Sequence, residues 1–132
     1  DIELVEQTFN NLFPNFSPWG GWARIVYRFR PHGSNPEECI LDVMLLAPWP
    51  KGEPKPPAAP LVMLEEHQSW TEYEDLGTLA RIFDQDVANV TQVMKGLKIR
   101  RPAHVTYSAY QESIIRAWHD NYETRLGLEE GE

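Results

Sequence analysis

The chain has 132 residues, 42% of them hydrophobic, and 12 basic against 20 acidic side chains give a formal net charge of -8. That length makes one domain, able to bury roughly two-thirds of its unfolded surface, and the acidic balance argues against nucleic acid or an anionic membrane surface as a partner. A single cysteine, Cys39, excludes an internal disulfide and any multi-cysteine metal or iron–sulfur site built from this chain alone, and fits a reducing, cytoplasmic compartment. No apolar run approaches the roughly 20 residues of a membrane helix. The chain opens at Asp1 without a methionine. It reads as the C-terminal part of something longer, or as a small protein trimmed at its start.

Residues 1–16 mix polar and apolar side chains and lead into a stretch punctuated by Pro14, Pro18, Gly20 and Gly21, a strand edge or turn. Trp22 to Arg30 then alternates. Ala23, Ile25, Tyr27 and Phe29 share one face and Arg24, Arg28 and Arg30 the other, the period of a half-exposed strand. A loop over 31–36 precedes the mostly apolar run Cys39 to Leu46, broken by Asp42, which predicts a second strand antiparallel to the first with Cys39 in the core. Six prolines between Ala47 and Pro60 predict an extended connector. A short strand is expected over Leu61–Leu64, a turn over His67–Thr71, and acids at a helix start over Glu72–Asp75.

Leu76, Leu79, Phe83, Val90, Val93 and Leu97 fall at three- and four-residue steps, one stripe of a long amphipathic helix. Lys95, Lys98, Arg100 and Arg101 crowd its C-terminal end and Pro102 closes it. Val105 to Tyr110 predicts another strand. Ile114, Ile115, Trp118, Tyr122 and Leu126 predict a last helix stopped by Gly127, followed by a frayed acidic tail, Glu129–Glu132. Strands first, then a long helix, then a strand and a helix predict an α+β domain with the long helix across one face of an antiparallel sheet.

One residue breaks the stripe. The step between Phe83 and Val90 falls on Asp86, so a carboxylate lies on the face that should meet the core. Burying it unpartnered costs several kcal/mol. Either a nearby basic residue pairs with it, or it serves as a metal ligand or catalytic acid, as in the triad of two histidines and one carboxylate that holds non-haem iron. Asp84 projects elsewhere and reads as a solvated acid. His32, His67, His104 and His119 form no close pair and read as structural or solvent-facing. No G-x-S-x-G, P-loop or H-E-x-x-H string is present. Phe9, Phe13, Phe16, Trp19 and Trp22 read as core or interface.

Several strings resemble a known family: Phe13-Pro14-Asn15, then Tyr27-Arg28-Phe29-Arg30-Pro31, then Ile82-Phe83-Asp84-Gln85-Asp86 with Asn89, then Gly96-Leu97, then Tyr110-Gln111-Glu112-Ser113 with Ile115-Arg116. In this order, from about Phe9 to Leu126, they resemble the large (alpha) subunit of Rieske non-haem iron ring-hydroxylating oxygenases. The resemblance implies that residues 1–132 are the C-terminal portion of the catalytic domain, of helix-grip architecture: a curved antiparallel sheet wrapped on a long helix. It implies that Asp86 is the carboxylate ligand of the mononuclear Fe(II), and that Phe9, Asn11, Ile82 and Phe83 line the substrate pocket. The parent would insert oxygen from O2 into an apolar or aromatic substrate, with electrons from NAD(P)H delivered by a reductase or ferredoxin to a Rieske 2Fe-2S cluster. It would be a homotrimer, with or without a beta subunit. The two histidine ligands and the cluster motif of the family have no match here, so this chain by itself is expected to be inactive. The competing expectation is a non-catalytic, helix-grip-like module that holds a hydrophobic small molecule without metal.

Overall fold

Among residues 8–21, 23–101 and 104–128, which the computed structural model describes, the backbone forms three strands and two long helices. The expectations for residues 1–7, Trp22, Pro102 and the acidic tail Glu129–Glu132 lie outside the described residues. The chain divides into two units, one of residues 1–50 with 106–132 and one of 51–105.

In the first unit, β1 (Phe16–Pro18), β2 (Ile25–Pro31) and β3 (Cys39–Leu45) form an antiparallel sheet in the order β1-β2-β3. The α+β class and the antiparallel pairing of the two predicted strands are therefore as expected. Branched and aromatic residues in Ile25-Val26-Tyr27 and Leu41-Asp42-Val43 suit a pleated surface. The Phe29 amide donates to Asn15 and the Trp19 amide to Ile25, whereas the Leu46 amide donates to Arg24. Odd residues of β2 thus bond towards β1 and even ones towards β3. The connecting loop is tied by side chains: Asn35 accepts from the Glu37 amide at 3.0 Å and donates to Glu38, which also holds His32. Ile25 and Val26 are buried.

Arg28 sits directly across from Asp42 in the β2–β3 register. Both Arg28 and Arg30 reach the same carboxylate, Arg28 Nε at 2.8 Å, and Arg30 at 2.7 Å through Nε and 3.0 Å through its second nitrogen. The Arg30 hydrogen bonds, helped by Arg28 and opposed by partial burial, hold the Asp42 carboxyl at about 2, below its usual 3.8.

Cys39 corrects the expectation of a core thiol. It is exposed, because it is the first residue of β3, opposite Pro31 at the sheet's end. Val105–Tyr110 is likewise not a strand. Its backbone is taken up by α2 (Ser113–Leu126): the Arg116 guanidinium donates to the carbonyls of Ser108 and Ala109, and the Glu112 carboxylate accepts from the Ser108 amide. Gly127, at φ 65°, stops α2 by turning left-handed, and its amide closes on the Thr124 carbonyl. Trp118 on α2 donates its indole N–H to the Pro14 carbonyl at 2.8 Å and stacks on Tyr122, while Arg125 lies over the Phe13 ring.

In the second unit, the connector 51–60 is exposed and has no regular element. Leu61–Leu64 is not a strand either: nothing pairs with it among the described residues, and Leu61, Val62 and Met63 are exposed. Two 3₁₀ turns, Trp70–Glu72 and Glu74–Leu76, lead to Gly77, whose φ of 54° breaks the chain before α1 (Leu79–Ile99). The acids of Glu72–Asp75 therefore belong to the turns, and the helix starts later than their spacing predicts. Leu76, Ala80 and Phe83 are buried, and the Phe83 ring stacks on Trp70 with centroids 4.9 Å apart.

Candidate functional site

The turn over 65–72 satisfies its polar groups locally. Ser69 caps it: its hydroxyl accepts from the Thr71 amide at 3.1 Å, and the Glu72 carboxylate accepts from the Ser69 amide at 3.1 Å, a reciprocal capping box. Gln68 adds a bond to Glu72 at 3.0 Å. The turn is fastened to α1 by Asp84, which accepts from the Ser69 hydroxyl at 2.6 Å and from the Trp70 amide at 2.8 Å.

The burial of the two acids is thus the reverse of that expected. Asp84 is half-buried and hydrogen-bonded, and Asp86 is exposed. Two residues are about 200° of helical rotation, so when the 65–72 turn covers the side of Phe83 and Asp84, Asp86 falls on the opposite side of the covered face. The stripe itself is real: Leu79 is half-buried and Phe83 buried, but beyond Asp86 it lies open, with Val90 66%, Val93 60% and Leu97 41% exposed. Asp86 stands where the cover ends.

Removing the Asp84 carboxylate with Asp84→Ala deletes two hydrogen bonds to an ionised acceptor, each worth about 1.5–3 kcal/mol. The sensitive reporter is the Trp70 amide, which donates to Asp84. Its hydrogen exchange should accelerate roughly tenfold or more. Unchanged protection there would mean that the turn is held by its own cap alone.

The other pocket candidates scatter. Ile82 is 52% exposed and Phe83 is core, against Trp70. In the first unit, Phe9 is 60% exposed and packs its ring on Trp19 at 4.2 Å. Trp19 in turn meets Tyr27 at 5.3 Å. Phe13, Phe16 and Trp19 are half-buried. Asn11 is exposed and edges a groove of about 300 Å³ whose walls are Leu12, Pro14, Phe16, Phe29 and Trp118. Its amide oxygen accepts from Ser17 at 2.7 Å, which points the amide at a fixed angle to those apolar walls. Asn15 is similarly fixed, donating to the Phe29 carbonyl at 2.6 Å. Among the described residues this groove unites Asn11 with a hydrophobic lining that the sequence had not grouped. Pro14 and Asn15 of the Phe13-Pro14-Asn15 string line it, and Trp118 comes from a helix face with no sequence signal for that contact.

The histidines have separate surroundings. His32 pairs with Glu38 at 2.9 Å, His119 meets the Tyr107 hydroxyl at 3.3 Å, and His67 and His104 are exposed. Among the described residues no three His, Cys, Asp or Glu side chains lie close enough to hold a metal ion. A mononuclear iron of the facial-triad kind needs two imidazoles besides a carboxylate. Asp86 is a lone carboxylate with no imidazole beside it among the described residues, so these residues do not fit the ion without ligands from elsewhere. One cysteine cannot hold a 2Fe-2S cluster.

Comparison with protein-family models, with curated proteins and with solved structures gave no match.

Proposed function

We propose that this chain is the carboxylate-bearing, C-terminal part of the helix-grip catalytic domain of a Rieske-type ring-hydroxylating oxygenase. The parent acts on an apolar, aromatic substrate with O2. The observation that carries the reading is the carboxylate of Asp86 within the apolar stripe of α1, at the place where the ordered strings from Phe13-Pro14-Asn15 to Tyr110-Gln111-Glu112-Ser113 resemble that family. Asp86 is the ligand this chain contributes. The two imidazoles, the Rieske cluster and the electron supply from NAD(P)H through a reductase or ferredoxin belong to the rest of the assembly, a homotrimer in this reading. Asn11 and the apolar groove beside it supply substrate-binding surface.

The test is Asp86→Ala in the protein together with its histidine-bearing part. Asp86 is exposed and its side chain makes no hydrogen bond among the described residues, so the circular dichroism should be unchanged and the stability within about 0.5 kcal/mol of wild type. The iron content should fall to background. Retained iron and turnover would end this reading.

A second reading, a metal-free module for hydrophobic small molecules, draws on the groove lined by Leu12, Pro14, Phe16, Phe29 and Trp118. It is favoured if the 132-residue chain binds an aromatic probe in that groove with the same affinity with and without Asp86.

A further inference from the structure

Two segments of the second unit differ in the sign of their charge, with Arg81, Asp84 and Asp86 of α1 between them. Residues 61–80 contain Glu65, Glu66, Glu72, Glu74 and Asp75 and no lysine or arginine, and all five acids are exposed. Residues 87–105 contain Lys95, Lys98, Arg100 and Arg101 and no acid. Lys95, Lys98 and Arg101 are exposed, and Arg100 is half-buried. Among the described residues Lys95, Arg100 and Arg101 make no ion pair. In their midst Ile99 is 84% exposed, an apolar side chain ringed by positive charge.

Lys95, Arg100 and Arg101 lie too far along the chain from the acidic turn to be neutralised by it within one copy. The acidic turn is fastened beside Phe83 and Asp84, and the basic group begins at Lys95 on the same continuous helix, α1. At about 1.5 Å per residue the centres are roughly 15 Å or more apart along the axis, beyond the ~8–10 Å over which exposed charges act at physiological salt. The helix dipole favours acids at the N-terminus and bases at the C-terminus, but only within the terminal turn. Glu65, Glu66, Arg100 and Arg101 all lie outside α1.

We propose that the basic end of α1, Lys95, Lys98, Arg100 and Arg101 around Ile99, docks on the acidic turn Glu65–Asp75 of a second copy of the chain. The contact is head to tail, so it joins two different surfaces and generates rings or open chains of copies. Charge complementarity steers the approach and fixes the register. Ile99 meets the half-buried Trp70 and Tyr73 of the acidic turn. Lys98, Lys95 and Ile99 lie at about 80°, 140° and 180° around the helix from Val90, away from the stripe that carries Asp86. The contact is therefore independent of whether Asp86 holds iron.

Three samples of the 132-residue chain test it by light scattering: wild type, the double variant Arg100→Glu with Arg101→Glu, and the double variant Glu66→Lys with Glu74→Lys. All four positions lie outside the helix, and Glu66 and Glu74 are exposed. Wild type should exceed the single-chain mass of 15.3 kDa at low salt, about 0.02 M, and return to it at about 0.5 M. Each variant alone loses most of the charge of one of the two surfaces, the basic end through the arginine changes or the acidic turn through the glutamate changes, and should associate at least about tenfold more weakly. An equimolar mixture of the two should regain association into pairs, because the unaltered basic end of the glutamate variant meets the unaltered acidic turn of the arginine variant. The restored mixture also guards against misfolding as the cause of the loss. Wild type that stays single at low salt, variants that associate as wild type does, or a mixture that remains single would each overturn the proposal.

Discussion

Truncating Phe83 to alanine is expected to melt the unit of residues 51–105. Phe83 is 4% exposed and stacks on Trp70, and it shares its burial with only Leu76 and Ala80 among the described residues of that unit. A buried phenylalanine cut to alanine costs about 3–5 kcal/mol through lost transfer energy and the cavity left behind. Whole domains hold only about 5–15 kcal/mol in reserve, and one with so few buried side chains lies at the low end. The helical signal of α1, followed by far-ultraviolet circular dichroism, should fall at 25 °C without denaturant. Val90→Ala is the matched control. It removes an apolar side chain from the same stripe two turns later, but Val90 is 66% exposed, so the change should stay within about 0.5 kcal/mol. Similar costs at the two sites would mean that the stripe is covered along its whole length in solution.

The second large effect is at the sheet and depends on pH. Arg28 and Arg30 hold the Asp42 carboxyl at about 2, below its ordinary 3.8. A folded-state value below the unfolded one means that the unfolded chain takes up the proton first as pH falls. The stabilisation is therefore complete above roughly pH 4 and is lost between there and about pH 2. The side chain of Asp42 is 15% exposed but those of Arg28 and Arg30 are 46% and 39% exposed, so solvent screens the pair. The contribution is about 1–2 kcal/mol after that discount. Asp42→Asn should lower the urea midpoint of the sheet at neutral pH by that amount and converge with wild type near pH 2. A gap that stays constant across this range would assign the loss to packing and not to charge.

These two contrasts also mark how far the residues alone could be read. The period of two over Ile25–Phe29 locates β2, although Ile25 and Val26 on opposite faces are both buried and Phe29 is exposed, and the three- and four-residue steps locate α1 because one face is apolar at every step but Asp86. Neither pattern says how much of a face is covered. Phe83 and Val90 occupy equivalent steps of one stripe, yet one is core and the other open. Asp84 and Asp86 show the same limit for charge: the spacing put Asp86 on the apolar face, but the partners of Asp84 come from a turn fifteen residues earlier. The Ser69-x-x-Glu72 spacing was the available signal for that turn, a capping box that needs something to cap. Leu61–Leu64 and Val105–Tyr110 have strand-like composition without a strand to pair with, and a strand exists only as part of a ladder. Of the groove, Asn11, Pro14 and Asn15 are residues that the sequence singles out, by resemblance to a family and not by any pattern that groups them. The Trp118 wall was not legible, because it comes from a helix 104 residues away from Pro14.

Trp70 has a further consequence, for spectroscopy. Of the five tryptophans, Trp70 is the only one within residues 51–105. Its indole stacks on Phe83, a ring that neither absorbs nor emits where tryptophan does. With Trp19, Trp22, Trp49 and Trp118 replaced by phenylalanine, the emission that remains comes from a single position on the turn beside Asp84 and two residues of helix from Asp86. The protein thus carries a native optical label next to its candidate site, one whose wavelength follows solvent reaching that turn without any dye attached.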